Sequence, residues 1–312
     1  MCIEKAILAA LAYFDIFEYP LNRAEIYQFL PEPYNYEVFK NALDRLCNES
    51  WVYQFDDLYS LQNKHELVLR RREGNKRAEV LLRKAERIAG FLSLFPYVRG
   101  VAVSGSLSKH FADKNSDIDF FIITEKNRLW IARTFMHLFK KFTFLVNKQH
   151  WFCMNYYVDE EQMQIKEKNI YTAIEVITLI PLRGMEVFRN FYIHNAWTAH
   201  FLPGHSAYLL PGKNAKTFLL KKIAESFFRN AAGNKIEQYL MQLTAKRWAE
   251  KTEQRKLNSR GIILGMDTSK HYAKPDPRNF QIKLVDQYER KISHLLNLFD
   301  EVGKQVLAEK TA

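Results

Sequence analysis

Two short apolar runs joined by a glycine-serine turn constrain this chain more than any other feature. The first run is Val101-Ala102-Val103, and Gly105-Ser106 follows it almost directly. After a gap of ten residues the second run begins as Asp117-Ile118-Asp119-Phe120 and continues with apolar residues to Ile123. Side chains two residues apart on a strand point to the same face. We therefore predict that the two aspartates converge, while the apolar residues of that run enter a core.

Two carboxylates on one rigid strand are suited to a divalent cation, because Mg²⁺ takes oxygen ligands and helps to hold phosphates. The glycine lets backbone approach a ligand closely, and the turn amides with the Ser106 hydroxyl can hold a phosphate. The alternative is an ordinary turn at residues 115–117 before an edge strand. Asp119, however, lies in an apolar run, where an unpaired carboxylate is costly to bury. We therefore favour a metal site at Asp117 and Asp119.

This pattern resembles the active-site signature of the nucleotidyltransferase superfamily, which includes DNA polymerase beta, kanamycin nucleotidyltransferase and the minimal nucleotidyltransferases of bacteria. The signature is a Gly-Ser or Gly-Gly pair, a gap like the one seen here, and then Asp-hydrophobic-Asp/Glu-hydrophobic. The resemblance covers residues 95–180 and implies an NTP substrate with Mg²⁺ or Mn²⁺ held by Asp117 and Asp119. It also implies that Gly105 and Ser106 hold phosphates, where Lys109 would add positive charge.

The superfamily usually places a third carboxylate on a later strand, and here the chain departs from the pattern. The expected strand, Trp151–Val158, contains no acid, and Asn155 is the polar residue inside it. Asn155 can ligate a metal through its carbonyl oxygen, but it cannot act as a base. The options that remain are an acid at residues 159–161, Glu175 on the next helix, chemistry on two carboxylates, or lost activity. Glu175 is equally compatible with a buried salt bridge.

The segment before this motif has the element order of a winged helix-turn-helix. Apolar spacing and turn residues predict three helices and a hairpin, at residues 3–15, 22–30, 36–48, 51–55 and 58–61. In such modules the third helix reads DNA. Here its basic residues, Lys40 and Arg45, are outnumbered by acids, whereas a groove-binding helix normally carries surplus positive charge. DNA binding and a protein-contact role therefore both stay open.

A basic stretch that begins with Arg70-Arg71-Arg72 leads into the motif. We predict a break at residues 73–75 and then a helix at 76–95. The stretch lines either a nucleic-acid or nucleotide path or, as is commoner, a solvated helix face. From residue 181 onward we predict helices only, at residues 185–197, 218–228, 235–255 and 280–307. One polar loop, at residues 267–278, lies before the last of them.

These readings give an α+β protein of three domains within 312 residues. They are a winged-helix-like domain at 1–70, a small mixed-sheet nucleotidyltransferase domain at 71–183 and a helical C-terminal domain at 184–312. The net charge of +11 favours anionic partners such as NTPs or nucleic acid. No apolar run reaches the ~18 residues of a membrane span, and three widely spaced cysteines indicate a reduced, cytoplasmic setting.

The function predicted from the sequence is Mg²⁺-dependent transfer of a nucleoside monophosphate from an NTP to an unidentified acceptor. The acceptor would be a small molecule, an RNA or a protein. The alternative is a DNA-binding or scaffold protein whose nucleotidyltransferase domain is degenerate and only senses nucleotide.

Overall fold

A computed structural model of the chain describes residues 1–144, 153–204, 219–254, 266–275 and 280–311. The protein is α+β, with eleven α-helices and nine strands in these ranges. Cys2, Cys47 and Cys153 are free thiols. None of the described helices is both long and apolar enough to cross a membrane.

The N-terminal module, residues 1–60, packs three helices on a small sheet. The elements are α1 (Ile3–Asp15), β1 (Leu21–Asn22), α2 (Arg23–Gln28), α3 (Tyr36–Asn48), β2 (Tyr53–Phe55) and β3 (Leu58–Ser60). The strands are antiparallel in the order β1-β3-β2. Asn22 begins α2 because it forms a capping box with Glu25. The helices and the hairpin thus lie where the sequence predicts them, and β1 is an additional strand.

Helix α1 is buried along its length because helices cover it from two sides. Every residue from Ala6 to Asp15 is buried. Helix α3 packs on one side, and α11 (Phe280–Thr311) packs on another. The ring of Tyr288 lies 5.8 Å from that of Tyr13, and Lys5 pairs with Asp300 at 2.7 Å. A segment predicted to belong to a separate C-terminal domain therefore completes the core of the N-terminal module.

The break predicted at residues 73–75 is wrong, because one helix, α4 (His65–Leu92), runs through it. Gly74 lies inside this helix where the ring of Phe111 packs against it. A Cβ at Gly74 would stand 2.3 Å from Phe111 Cε2. The glycine therefore marks a close approach of two segments rather than a turn, and α4 continues across the boundary predicted at residue 70.

A six-stranded mixed sheet forms the centre of the molecule, in the order β7-β4-β5-β6-β9-β8. The strands are β4 (Val98–Val103), β5 (Asp119–Thr124), β6 (Cys153–Asp159), β7 (Ile180–Arg183), β8 (Met266–Thr268) and β9 (Tyr272–Pro275). Strands β5 and β6 are parallel, and the other pairs are antiparallel. Phe120 and Phe121 are both buried, because helices cover the two faces of the sheet.

Four helices lie among these strands: α5 (Gly105–Ser108), α6 (Leu129–Phe144), α7 (Ile170–Ile177) and α8 (Met185–His194). A 3-10 helix, Ala196–His200, follows α8. The first two residues of the predicted strand Trp151–Val158 lie outside the described residues.

The prediction of helices only after residue 181 is wrong. Strand β7 extends to Arg183, and β9 pairs with β6, which adds β9 and β8 to the sheet. The polar loop predicted at 267–278 contains these strands; its residues 276–278 lie outside the described residues. The polar side chains are satisfied there by pairing, since Lys274 is buried against Glu167. The helices predicted next are present as α9 (Leu219–Phe227) and α10 (Ala231–Glu253); the predicted ends Phe218 and Arg255 lie outside the described residues.

Candidate active site

The turn after β4 brings Gly105 against Asp119. Gly105 has φ +68°, and a Cβ there would stand 2.9 Å from Asp119 Oδ2. One residue earlier, the Ser104 N–H donates to the Asp119 carbonyl oxygen at 2.9 Å. Both the positive φ and the close approach require glycine. The Gly-Ser turn and the second aspartate are therefore neighbours, as the sequence predicts, and Ser106 is exposed on the turn.

Strand β5 begins at Asp119, so Asp117 lies in the loop before it rather than on the paired strand. The alternation predicted from the sequence nevertheless holds on the core side, where Ile118 and Phe120 are buried in the same apolar cluster. Asp117 and Asp119 are each half-buried and line one cavity. The structure thus brings together the two carboxylates predicted to bind metal.

Asn155 reaches Asp119 through a bulge in β6. Phe120 pairs with Met154 and Phe121 with Tyr156, which leaves Asn155 as the extra residue. The Asn155 Nδ2 donates to Asp119 Oδ1 at 2.5 Å. Its carbonyl oxygen accepts from the Cys153 thiol at 3.0 Å, whose pKa burial and the charge of Asp119 raise to about 12. Asn155 therefore orients Asp119 here, and ligation of a metal through its carbonyl oxygen requires the amide to turn.

Among the options for a third carboxylate, Glu175 on α7 is the one that lines this cavity. It pairs with Lys109, whose Nζ lies 2.7 Å from Glu175 Oε1 and 3.1 Å from the Gly105 carbonyl oxygen. The charges of Glu175 and Asp119, after burial, raise the pKa of Tyr171 well above its usual value. Glu175 thus forms a salt bridge, with Lys109, and also lines the candidate site.

The acids at the end of β6 do not reach the site. Asp159 pairs with Thr124, at the opposite end of β5 from Asp119, which is about 16 Å away at the usual strand rise. Asp159 is fully buried and accepts backbone N–H groups from Asn127, Glu161 and Gln162. Its carboxylate has a structural role at the far end of the sheet.

The cavity has a volume of about 540 Å³, and its lining residues fall into two chemical classes, which we call its polar half and its aromatic half. Its polar half contains the Gly-Ser turn, Lys109, both aspartates of the motif, Glu175 and the loop residues Asp113, Asn115 and Ser116. Its aromatic half contains Tyr13, Phe14, Phe17, Tyr19, Phe111, Tyr171 and Phe280. The sequence reasoning missed the aromatic half, because most of it comes from the N-terminal module and α11, far along the chain from the motif.

Comparison with known families bears on the polar half. Residues 82–180 match the family model of the nucleotidyltransferase domain. This similarity supports the nucleotidyltransferase superfamily for residues 82–180, which are called the nucleotidyltransferase domain from here on. The match contains every residue predicted for the site and covers about a third of the chain. It does not extend to the N-terminal module or to α8–α11. No curated protein and no solved structure matches the chain significantly.

The nucleotidyltransferase domain offers oxygen donors that fit a hard divalent cation. Mg²⁺ in phosphoryl-transfer sites is commonly held by one or two carboxylates, with substrate phosphates and water completing its shell. Asp117 and Asp119 supply such a pair beside a turn that is suited to phosphate. No cluster of three or more His, Cys, Asp or Glu side chains suited to a metal occurs among the described residues, so the substrate would have to complete the coordination.

Arg70 is the member of the arginine run that faces the site. Its guanidinium donates to the carbonyl oxygens of Phe17 and Glu18 at 3.1 and 3.2 Å. It lies 3.6 Å from Asp113 and 4.9 Å from the ring centre of Phe111. Arg70 therefore joins the N-terminal module to the nucleotidyltransferase domain at the cavity wall.

The other two arginines are structural. Arg71 is buried, pairs with Glu25 at 2.8 Å and lies 4.4 Å from the ring centre of Tyr19. Arg72 pairs with Asp56 at the hairpin turn at 2.7 Å. The arginine run therefore binds the N-terminal module to α4. Farther along the same basic stretch, Lys76, Arg83, Lys84 and Arg87 are exposed on α4, in agreement with the reading as a solvated helix face.

Proposed function

We propose that the protein transfers a nucleoside monophosphate from an NTP to a nucleophile on an acceptor, with release of pyrophosphate. The observation that carries this is the position of Gly105 against Asp119, in a cavity that Asp117 and Glu175 also line. A nucleotidyltransferase domain supports nucleotidyl transfer in general. The metal, the substrate and the individual roles are parts of the proposal.

Each polar residue has a distinct task in this proposal. Asp117 and Asp119 would hold Mg²⁺ or Mn²⁺, which when bound supplies charge stabilisation to the attacking and leaving oxygens. Gly105 and Ser106 offer backbone N–H groups and a hydroxyl to the β- and γ-phosphates. Asn155 keeps the Asp119 carboxylate oriented toward the cavity.

Lys109 and Glu175 would exchange partners when the NTP binds. Lys109 is neutralised by Glu175 in the structure, and a triphosphate competes for its ammonium group. Once Lys109 turns to the phosphates, the Glu175 carboxylate is available to accept a proton from the attacking group. This assigns to α7 the base that the superfamily pattern places on the third strand.

The test is calorimetric binding of each NTP, with and without Mg²⁺, to the wild-type protein and to the Asp117→Asn/Asp119→Asn variant. We expect the wild-type protein to bind one or more NTPs only with the cation. The double variant should fold and bind none. Binding that ignores both the cation and the aspartates would contradict the assignment.

The second candidate is a degenerate, nucleotide-sensing domain in a DNA-binding or scaffold protein. Asn155 favours it, because this amide occupies the strand where the superfamily carries an acid. The charges on the N-terminal module argue against DNA binding by it. Arg23 pairs with Asp44 on α3, and the hairpin turn carries Asp56 and Asp57. Duplex binding that weakens steeply with salt, without NTP turnover, would support this candidate.

A further inference from the structure

The aromatic half of the cavity is built by parts of the chain outside the nucleotide motif. Tyr13, Phe14, Phe17 and Tyr19 come from the end of α1 and the turn after it, and Phe280 begins α11. Phe17 and Phe280 are each 40% exposed, so rings stand at an accessible wall rather than in a sealed core. Such a wall suits a ligand with a flat or apolar body.

A buried hydroxyl in this half lacks a partner. Tyr13 is 2% exposed and lines the cavity. Its hydroxyl oxygen makes no hydrogen bond among the described residues. Burial is the main cause that raises the pKa of Tyr13, and the nearby charge of Glu175 is the second. An unsatisfied buried hydroxyl is costly in a folded protein, and a polar group on a ligand would satisfy it.

The aromatic half is held firmly against the polar half. The Tyr19 hydroxyl donates to the Lys109 carbonyl oxygen at 2.8 Å, which ties the turn after α1 to the phosphate-binding turn. Arg70 holds the carbonyl oxygens of Phe17 and Glu18 from α4. A site that is fixed before binding loses less entropy when a ligand arrives. The N-terminal module is therefore part of the cavity wall.

We propose that the aromatic half is the acceptor subsite, and that the acceptor is a small molecule whose aromatic or apolar ring body carries a hydroxyl or amine. This rests on the proposed function. Glu175, the proposed proton acceptor, pairs with Lys109 of the motif and lies close enough to Tyr13 for its charge to act on that hydroxyl. The group that loses its proton therefore belongs at the aromatic half. A cavity of about 540 Å³ is of the size that holds small molecules, typically about 300–1,000 Å³.

When the acceptor group is a hydroxyl, its oxygen attacks the α-phosphorus of the NTP and forms a new P–O bond. The bond from the α-phosphorus to the oxygen bridging to the β-phosphorus breaks, and pyrophosphate leaves with that electron pair. The acceptor proton passes to the Glu175 carboxylate. Tyr13 contacts the acceptor through its hydroxyl and fixes the direction of the attacking group.

The experiment uses naphthol as the ring-bodied probe and glucose as the sugar-bodied comparison. Calorimetry measures both probes and every NTP on the wild-type protein, Tyr13→Phe, Phe17→Ala and the control Tyr36→Ala. Tyr36 belongs to the same module but is exposed on α3 and does not line the cavity. We expect naphthol but not glucose to bind, about tenfold more weakly in Phe17→Ala and roughly two- to tenfold more weakly in Tyr13→Phe. Tyr36→Ala should match the wild type, and NTP affinity should be unchanged throughout.

Thermal unfolding gives a second readout that a purely structural role would not produce. Tyr13→Phe removes an unpartnered hydroxyl, so the unliganded variant should melt at or above the wild-type temperature while its naphthol affinity falls. A structural hydroxyl would instead lower the melting temperature when removed. A lower melting temperature with unchanged naphthol binding would overturn the role of Tyr13.

Other outcomes separate the two proposals. Undiminished naphthol binding by both cavity variants overturns the acceptor subsite alone. A loss of NTP affinity in Phe17→Ala assigns the aromatic half to the nucleobase instead. Transfer of label from an α-phosphate-labelled NTP to RNA or protein, unaffected by Phe17→Ala, also overturns it. A wild-type protein that binds naphthol but no NTP overturns the proposed function, and with it the acceptor role of this half.

Discussion

The two ends of the strand pair β5 and β6 each carry an aspartate, and the surroundings of the two differ completely. At the far end Asp159 is fully buried, accepts three backbone N–H groups and lies 2.9 Å from His271 Nδ1. At the near end Asp119 is half-buried, meets Asn155 and faces the cavity. Both ends carry the same type of residue, so what distinguishes them is the burial of each carboxylate and the groups that it contacts.

The same contrast holds for the positive charges. At the far end Arg99 is enclosed by Glu225 and Glu125, and Lys221 is buried against the carbonyl oxygens of Ser93 and Val98. At the near end Lys109 pairs with Glu175 in an open cavity. Charges at the far end are partnered within the protein, whereas the charges that share the cavity are available to a ligand.

The largest expected effect comes from the same substitution at the two ends. Asp119→Asn should lower NTP turnover by about two to three orders of magnitude and leave the melting temperature nearly unchanged. Asp159→Asn should cost about 2–4 kcal/mol of unfolding free energy while the folded fraction keeps its turnover. Turnover assays with denaturant unfolding of both variants check this, and a catalytic loss in Asp159→Asn would break the contrast.

Gly105→Ala tests the near end through backbone and space. The new Cβ would stand 2.9 Å from Asp119 Oδ2 at φ +68°, so turnover should fall about 10- to 100-fold, with a stability loss of about 1–2 kcal/mol. Gly303→Ala is the matched control, since no heavy atom lies within 4 Å of a Cβ there. Equal turnover of the two variants would show that the turn does not position Asp119.

Asn155→Asp sharpens the comparison by adding a carboxylate where the superfamily carries one. Without a cation, two like charges in contact at Asp119 should lower the melting temperature. With Mg²⁺ the variant should gain more stability than the wild type, because a third oxygen donor strengthens cation binding. Melting curves with and without Mg²⁺ measure both changes; Asn155→Ala is the control and should show no added response to Mg²⁺.

The last expected effect is a pH dependence of stability at the far end. Burial, and then the charge of Arg99, lower the pKa of Lys221 from 10.5 to about 8. Between these values the unfolded chain holds a proton that the folded protein has released, so stability rises with pH across that range. The rise should be on the order of 2 kcal/mol. Denaturant unfolding of the wild type and Lys221→Met at about pH 7.5 and about pH 9.5 should show the rise in the wild type alone.

Local patterns in the sequence predicted much of the near end. The Gly-Ser turn and the apolar alternation at Ile118 and Phe120 depend on neighbours within a few residues. The long-range features were out of reach. Gly74 signalled a break by local rules, but it packs against Phe111, which only the folded structure brings close.

The roles of individual acids followed the same division. The sequence left residues 159–161 and Glu175 among the options for the third carboxylate. Strand register places Asp159 away from the cavity, because it pairs with Thr124 at the far end. The bulge that turns Asn155 toward Asp119 has no local signature either, since it depends on the pairing of β6 with β5. The aromatic half of the cavity needed the contact between α1 and α11.

That contact between α1 and α11 has a consequence for how the protein is made. Lys5 finds Asp300 across 295 residues of chain, and ribosomes add about 5–20 residues per second. The apolar surface of α1 therefore waits on the order of tens of seconds for the helix that covers it. During that time the nascent chain exposes the apolar surface of α1 to other proteins. Synthesis of this protein should depend on chaperones that hold α1 until Phe280 and the rest of α11 emerge.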